Sequence, residues 1–516
     1  MTQSVVILGG GTAGWMTASY LRAAFADRVD VTVVESRRIG TIGVGEATFS
    51  TVRHFFDYLG LSEADWMPEC NGTYKLAVRL ENWRAPGTYF YHPFERMRVV
   101  DGVPLTDWWQ KVGASGHFDR DCFLIPWLCD AKASPRHLDH RLFEQDFDEA
   151  PDRPLFRTTL AEQNTQFPYA YHFDAALLAD FLSRYAVRRG VDRIIDDVVD
   201  VRLDEQGWIA GLVTREHGEL TADLYVDCSG FRSRLLGDAL AEPFVSFQDA
   251  LPNDRAVALR VPADTAAQGI RPCTTATAQD AGWIWTIPLY DRIGTGYVYA
   301  GDYCEPEEAE RALREFVGPA AADLEANHIR MRIGRSQRAW VNNCVGIGLA
   351  AGFVEPLQST GIFLIQHAIE QLVRYFPGTN RDPVLRDTYN LSTARAIEGV
   401  REFLILHYRG AARADNDYWR DAKSRAVPDD MAQRLEQWQS RLPDNDTTYP
   451  YYHAFEPYSY VCMALGLGGF PLRHPPVLDV VDARAARAEL ARVREQARTL
   501  VDALPSHVEY LASLRR

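Results

Sequence analysis

The first residues of the chain contain a glycine pattern that is typical of dinucleotide-binding loops. It fits G-x-G-x-x-G and consists of Gly9, Gly11, Thr12, Ala13 and Gly14. The first glycine permits a tight turn, the second lets backbone N–H groups approach a pyrophosphate, and the third lets a helix pack closely on a strand. Glu35 follows Gly14 by 21 residues, at a place where a carboxylate can accept hydrogen bonds from ribose hydroxyls. These residues predict a site for a dinucleotide.

Two later glycine turns favour FAD over NAD as that dinucleotide. Asp227–Gly230 follows an apolar stretch, and Gly346–Ala351, which contains Gly348, follows another. FAD is long and needs several contacts with the protein, which two further strand-to-glycine turns can supply. Each turn taken alone is equally consistent with an ordinary β-turn.

The glycine loop requires a strand before it and a helix after it. The sequence predicts a strand at Val5–Leu8, a helix from about Gly14 to Ala24 and a second strand at Val31–Val34. A further apolar strand is predicted at Leu224–Val226. We therefore predict an α/β fold with a doubly wound, Rossmann-like FAD-binding module.

Beyond about residue 385 the sequence changes character, and helical patterns dominate. The last helix is predicted from about Asp482 to Ala503, in a stretch rich in Ala, Arg, Glu and Leu. The sequence thus predicts two modules. Residues 1–385 form the FAD-binding module, and residues 386–516 form a mainly helical module that caps the substrate site.

The composition restricts the class of function. The chain has 516 residues, 47% of them hydrophobic, and a net charge of −15. An acidic surface repels nucleic acid and anionic membranes, and no apolar run reaches the roughly 18 residues that cross a bilayer. Eight scattered cysteines form no C-x-x-C pair and predict reduced thiols. We expect a cytoplasmic protein without a metal site, a nucleic-acid partner or membrane association.

A far more specific pattern lies in the middle of the chain. Gly282–Pro288 reads G-W-I-W-T-I-P and matches G-W-x-W-x-I-P, while Trp15 directly follows the glycine motif. By themselves, Trp283 and Trp285 predict one face of a buried strand. Together with the glycine motif, the pattern resembles the flavin-dependent tryptophan halogenases over essentially the whole chain, and the tryptophan 5-halogenases most. Similar stretches are EATFSTVRHFFDYLGL, YFYHPFERMRVVDG, QFPYAYHFDA, GIFLIQHAIEQLV and YPYYHAFEPYSY.

This resemblance implies the chemistry. In the family, reduced FAD, oxygen and chloride or bromide give a hypohalous acid, which moves through a tunnel to a lysine beside the substrate. That lysine falls on Lys75, whose ammonium can hydrogen-bond hypochlorous acid or become a chloramine. The local alternation alone, with Tyr74 and Leu76 on one side and Lys75 and Ala77 on the other, predicts a half-buried strand with a solvated lysine.

A glutamate is the second catalytic residue that the resemblance implies. It falls on Glu355, which can stabilise positive charge on the substrate ring or accept the proton that the ring loses. By itself, Glu355 is a loop residue before a proline. Thr360 and Gly361 resemble the halide site of the family, where backbone N–H groups face the anion. The family usually reads E-P-L-E-S here, whereas this chain has Gln358, an uncharged amide.

The resemblance further implies a pocket of flat rings around an indole, with polar groups at its amino-acid end. Taken alone, each of these aromatic residues is better explained by a role in the core, and His92 equally well by a hydrogen-bonded core histidine. The predicted pocket consists of Phe49, Ser50, His92, Phe94, Gln163, Trp283, Trp285, Tyr449, Tyr451, Tyr452 and Glu456.

We therefore predict an enzyme that uses FADH2 and O2 to chlorinate free L-tryptophan at C5. The segment from Tyr449 through Glu456 to Gly466–Gly468 lacks the insertion of the C7 enzymes and shares the short form of the C5 enzymes. Three alternatives stay open. They are chlorination of tryptophan at C6 or C7, halogenation of another indole or pyrrole, and a catalytically silent flavin-binding protein.

The partners follow from the same reasoning. No second nucleotide-binding pattern is apparent in the sequence, so reduced flavin is expected from a separate NAD(P)H-dependent flavin reductase. The resemblance places the chain in antibiotic biosynthesis. The sequence does not fix the oligomeric state, and a homodimer is kept as a candidate.

Overall fold

The computed structural model describes residues 3–38, 40, 46–113, 116–143, 167–378, 382–448 and 455–516. A six-stranded sheet holds the glycine loop, and all its pairs are parallel except the last one. Its strands, in spatial order, are Asp192–Ile195, Val29–Glu35, Gln3–Leu8, Leu224–Asp227, Cys344–Gly346 and Trp340–Val341. The helix Thr12–Phe25 follows the loop. The predicted α/β, Rossmann-like fold is confirmed, with each predicted strand one to three residues longer than expected.

A second, seven-stranded sheet faces the glycine loop across a cavity. Its pairs are antiparallel except for the one between Ala77–Glu81 and Cys273–Gln279. The strand Gly282–Pro288 carries the two tryptophans, and Trp285 lies opposite Gly296, where a Cβ atom would stand 2.2 Å from the indole. The strands, in spatial order, are Asn327–Arg330, Arg255–Pro262, Arg292–Tyr299, Gly282–Pro288, Cys273–Gln279, Ala77–Glu81 and Tyr89–Pro93.

The segment around Lys75 differs from the half-buried strand that the alternation predicts. The chain forms two short strands, Thr73–Lys75 and Ala77–Glu81, which belong to different sheets. Leu76 lies between them, and its N–H donates to the carbonyl oxygen of Pro272. Lys75 is fully buried, so both faces of this segment are covered. The alternation identified an extended chain correctly but could not show what covers its second face.

The remaining strands form small sheets and hairpins. The pair Ala170–Phe173 and Thr73–Lys75 is extended by Glu46–Ala47. The others are Val198–Leu203 with Ile209–Thr214 and Glu219–Leu220, Phe244–Ser246 with Gly334–Ser336 and Gly352–Phe353, and Val99–Val100 with Val103–Pro104.

Helices cover the sheets and dominate after residue 382. Asp174 and Asp382 accept hydrogen bonds from first-turn N–H groups and so begin two of the helices. The α-helices are Thr12–Phe25, Val52–Leu59, Glu63–Trp66, Leu105–Val112, Phe118–Cys122, Ile125–Ala131, Ala175–Val187, Thr265–Gln268, Pro306–Val317, Gly361–Arg374, Pro383–Gly410, Asp417–Ser424, Asp429–Gln437, Pro457–Leu467, Arg484–Ala503 and His507–Ser513. Shorter turns of helix are Ala26–Arg28, Gly230–Arg232, Arg234–Ala239, Pro319–Ala321, Gly348–Ala350, Leu357–Ser359 and Pro476–Val480.

The main core joins the two predicted modules. It contains Trp15 from the first helix and Phe403 from the long helix Pro383–Gly410, which itself crosses residue 385. The division at that residue stays a prediction. Among the helices that the structure describes, none is both long and apolar enough to pass through a bilayer.

Candidate active site

A cavity of about 1010 Å³ opens at the carboxyl ends of the parallel strands. Such an edge is where open α/β sheets bind their ligands, and the volume lies at the upper end of the roughly 300–1,000 Å³ of small-molecule sites. The predicted flavin residues that line the cavity are Gly9, Gly11, Thr12, Ala13, Glu35 and Gly348. Trp283, Trp285 and Gly361 line it from other elements.

The glycines of the loop have distinct local environments. Gly9 has a φ of +120°, and a Cβ atom there would stand 2.3 Å from the carbonyl oxygen of Cys228. A Cβ atom on Gly14 would stand 1.8 Å from the carbonyl oxygen of Gly9, so this glycine lets the helix pack on the loop. A Cβ atom on Gly11, which faces the cavity, would meet no atom of the described residues within 4 Å. The loop therefore fits a pyrophosphate that lies against backbone N–H groups.

Glu35 lies at the end of its strand, at the rim of the cavity. One carboxylate oxygen accepts a hydrogen bond from the indole Nε1 of Trp15 at 3.2 Å, and the other forms an ion pair with Arg193. These contacts fix the carboxylate beside the loop, in the place predicted for a ribose. They also give Trp15 a structural role that the sequence did not reveal.

Lys75 is held in the interior next to an aromatic side chain. Its Nζ donates a hydrogen bond to the carbonyl oxygen of Thr48 at 2.9 Å and lies 5.1 Å from the centre of the Phe94 ring. Burial removes water from the ammonium and lowers the pKa of Lys75 to about 7. The lowered pKa makes the neutral amine accessible near neutral pH. Such a group can act either as a hydrogen-bond donor or as a nucleophile.

An aromatic cluster surrounds Phe94 and consists of Phe49, His92, Phe94, Phe403 and Phe455. The ring centre of Phe49 lies 6.0 Å from that of Phe94 and 5.2 Å from that of Phe455. Phe403 stacks on Phe455 at 3.7 Å. The sequence analysis missed Phe403 and Phe455. Phe455 precedes Glu456 in an aromatic-rich stretch that could have drawn attention to it, whereas Phe403 has no local signal.

The structure places the predicted amino-acid end of the pocket at the start of a helix. Glu456 precedes Pro457–Leu467 and forms a two-point ion pair with Arg96, with N–O distances of 3.2 and 2.9 Å. Ser50 is buried immediately after Phe49. The other predicted pocket residues lie outside the described residues and are Gln163, Tyr449, Tyr451 and Tyr452.

Glu355 is buried beneath the cavity rather than on its wall. Its Oε2 accepts hydrogen bonds from Asn253 Nδ2 at 2.7 Å, Tyr408 Oη at 2.8 Å and Trp283 Nε1 at 3.1 Å. Burial raises the pKa of Glu355, while these three donors act in the opposite direction. This geometry favours a role for Glu355 in holding the side chain of Trp283 in place. The proton-accepting role of Glu355 stays a prediction.

Gln358 lines the cavity and connects it to the aromatic cluster. Its Oε1 accepts a hydrogen bond from His92 Nδ1 at 2.9 Å, and its Nε2 donates to His407 Nε2 at 2.8 Å. Gln358 and Ser359 have φ angles of +66° and +63°, an unusual backbone for residues other than glycine. Such strain is often found at functional sites.

The predicted halide residues lie directly after this turn. Thr360 is the N-cap of the helix Gly361–Arg374, and Gly361 faces the cavity. The first N–H groups of a helix have no partner within the helix, and the helix dipole adds positive potential there. The helix start therefore suits an anion, and the halide site at Thr360 and Gly361 stays a prediction.

The α/β fold and the glycine loop at the cavity define a dinucleotide-binding protein. The chain belongs to the tryptophan halogenase family, whose model matches residues 4–483. It is 62% identical to 7-chloro-L-tryptophan 6-halogenase KtzR of Kutzneria sp., over 99% of both chains. It is 61% identical to tryptophan 6-halogenase SttH of Streptomyces toxytricini, over 99% of this chain and 98% of that one.

Solved structures agree with these relatives. The structure of SttH has a TM-score of 0.96 over 99% of both chains. That of Tar14, a tryptophan C-6 halogenase from taromycin biosynthesis, has a TM-score of 0.95 and 62% identity over 100% of both chains. The prediction of a 5-halogenase is therefore wrong, because these highly similar relatives act at C6. The short segment after Tyr449 did not distinguish the two.

Proposed function

We propose that the protein chlorinates free L-tryptophan at C6, with FADH2, O2 and chloride. The single observation that carries the proposal is the placement of Lys75, which is fully buried against Phe94 in an aromatic cluster beyond the cavity. The identities of 61–62% with proteins named tryptophan 6-halogenases support the position of attack.

The site has two ends, one that would bind FAD and the halide and one that would bind the substrate next to Lys75. The glycine loop and Glu35 would hold FAD, which when bound and reduced supplies, with oxygen, the oxidising power that turns chloride into hypochlorous acid. The helix start at Thr360 and Gly361 would hold the halide nearby. Lys75 would receive hypochlorous acid at the far end and present its chlorine at one fixed point.

The position of the substrate in the pocket, and not the intrinsic reactivity of its ring carbons, must decide which carbon is chlorinated. The intrinsically reactive carbons of an indole are C2 and C3, so attack at C6 requires that this carbon faces Lys75. The rings of the aromatic cluster would set the plane of the indole. Glu456, oriented by Arg96, would hold the amino group and so determine which carbon reaches Lys75.

A second candidate substrate is 7-chloro-L-tryptophan, also attacked at C6. KtzR, at 62% identity, is named for that substrate. Both substrates place the same carbon at Lys75 and differ by one chlorine atom, which a pocket discriminates by only about 1–3 kcal/mol. A direct competition between the two substrates is therefore needed.

We further propose that a separate NAD(P)H-dependent reductase supplies the reduced flavin. The described residues contain one glycine-loop site of the dinucleotide type, and the predicted occupant of that site is FAD. Mixing the purified chain with NADH and FAD should then give no sustained NADH oxidation.

The test is a product assay with both substrates present in equal amounts. The protein is incubated with a flavin reductase, NADH, FAD and chloride, and NMR locates the new chlorine. We expect chlorine on C6, and the product ratio identifies the preferred substrate. Lys75→Met is the control and should give no chlorinated product while FAD still binds. Chlorination at C7 or of neither substrate would contradict the proposal.

A further inference from the structure

The aromatic cluster contains a histidine with one unused ring nitrogen. His92 is 1% exposed, and its Nε2 has no hydrogen-bond partner among the residues that the structure describes. Its ring centre lies 6.1 Å from that of Phe94, the same ring that Lys75 contacts. His92 and Lys75 therefore approach one aromatic side chain, within the cluster proposed to hold the substrate.

The hydrogen bonds of Gln358 fix the protonation of His92. The amide oxygen of Gln358 can only accept, so His92 Nδ1 carries a hydrogen and donates it. The amide NH2 of Gln358 can only donate, so His407 Nε2 is an acceptor, and His407 Nδ1 donates to the carbonyl oxygen of Phe403 at 2.8 Å. Burial lowers the pKa of His92 to about 4 and that of His407 to about 3, so both rings are neutral.

An amide at position 358 is specifically matched to this arrangement. A carboxylate there would have no hydrogen to donate, and His407 would need a proton on Nε2 as well as on Nδ1. Gln358, which departs from the usual E-P-L-E-S pattern, thus keeps the hydrogen-bonded side chains of His92, Gln358 and His407 uncharged. It also leaves the lone pair of His92 Nε2 available.

From this geometry we infer that His92 Nε2 accepts the proton that the indole ring loses during chlorination. The inference rests on the proposed function, which supplies hypochlorous acid at Lys75. The chlorine–oxygen bond breaks as the ring carbon takes the chlorine, and the leaving hydroxide takes a proton from the Lys75 ammonium to give water. The cationic ring then loses its hydrogen as a proton to His92 Nε2, and the C–H electron pair restores aromaticity. Lys75 is neutral at that moment, so no cation opposes the imidazolium.

The other candidates for this role are less well placed. Lys75 is an ammonium while it holds hypochlorous acid, and it becomes a neutral amine only after it has given its proton to the leaving hydroxide, so the variant His92→Asn must separate the two bases. Glu355 also has one oxygen without a partner in the described part of the chain, but the three donors to its other oxygen, Trp283, Asn253 and Tyr408, lie outside the aromatic cluster. Gln358 is not basic. His92 combines a lone pair, burial and contact with the Phe94 ring both before and after the chlorine is transferred.

The test compares L-tryptophan with ring-deuterated L-tryptophan in single-turnover chlorination. His92→Asn keeps an N–H donor near the Nδ1 position and removes the Nε2 acceptor. We expect the single-turnover rate constant to fall about 100-fold and a primary deuterium isotope effect of at least about twofold to appear, because proton removal becomes slow. Phe94→Leu disturbs the same cluster without removing a base, and a slowed Phe94→Leu variant should show no isotope effect.

Three results would contradict the role of His92 as the proton acceptor. A loss of rate in His92→Asn without an isotope effect, or a rate within threefold of wild type, would overturn the inference. So would an isotope effect in Glu355→Gln that His92→Asn lacks. If His92→Asn does not fold, His92→Gln gives the same readout, since an amide fills the Nε2 position but is not basic. Wild type that chlorinates no tryptophan would refute the proposed function instead.

Discussion

The substitution Lys75→Met should stabilise the protein while it abolishes chlorination. Lys75 is fully buried, and the pKa of its ammonium is lowered by desolvation from 10.5 to about 7. Methionine has a similar unbranched shape and no charge to desolvate. A residue that lowers the stability of the fold and yet is retained is expected at an active site.

The magnitude and its sign follow from proton linkage. Below pH 7, Lys75 is protonated in both states, and the folded state carries the whole cost, about 5 kcal/mol for about 3.5 pKa units. Between pH 7 and 10.5 the amine is protonated only in the unfolded state, so the cost shrinks as pH rises. It should be about 5 kcal/mol at pH 6 and about 2 kcal/mol at pH 9.

The assay is urea-induced unfolding of the wild type and of Lys75→Met at pH 6 and pH 9. We expect the stability advantage of the variant to shrink by about 3 kcal/mol between the two pH values. Lys132→Met removes a partly exposed ammonium, whose Nζ donates a hydrogen bond to the carbonyl oxygen of Gln268, and serves as the control. An advantage that does not depend on pH, or a pH trend that Lys132→Met shares, would refute the assignment of a desolvated ammonium at Lys75.

Three further predictions test the rest of the site. Gly11→Val should raise the Kd for FAD at least about tenfold, or about 1.4 kcal/mol, because the new side chain enters the cavity. The Tm of the flavin-free protein should be unchanged, and a lower Tm would show that the substitution disturbed the loop itself. Glu355→Ala should lower the free energy of unfolding by at least about 3 kcal/mol, since three donors lose their acceptor. Glu355→Gln keeps an acceptor oxygen and should lower it less, and equal losses for the two variants would show that these hydrogen bonds are not the cause. Arg96→Gln should raise the KM for tryptophan about fivefold with little change in kcat, because Glu456 loses its ion-pair partner. An unchanged KM would contradict the assignment of Glu456 to the substrate pocket.

The sequence determined those features that depend on neighbouring residues. The glycine loop, its strand and its helix lie within 35 consecutive residues, so the pattern of turn, pyrophosphate approach and close packing could be read directly. The G-W-x-W-x-I-P motif identified the family, and the alternation around Lys75 identified extended chain.

Tertiary structure decided what covers those elements and which side chains meet. Lys75 is buried because Phe94 lies over its amine and Thr48 accepts its hydrogen bond, and no local pattern encodes either contact. The chain His92–Gln358–His407 joins residues 266 and 49 positions apart. The site of chlorination depends on the orientation of an indole within such a pocket, and the C5 prediction was wrong because orientation arises from the summed contacts of distant residues. Local sequence sets backbone conformation, whereas burial and pairing depend on which distant segments the fold brings together.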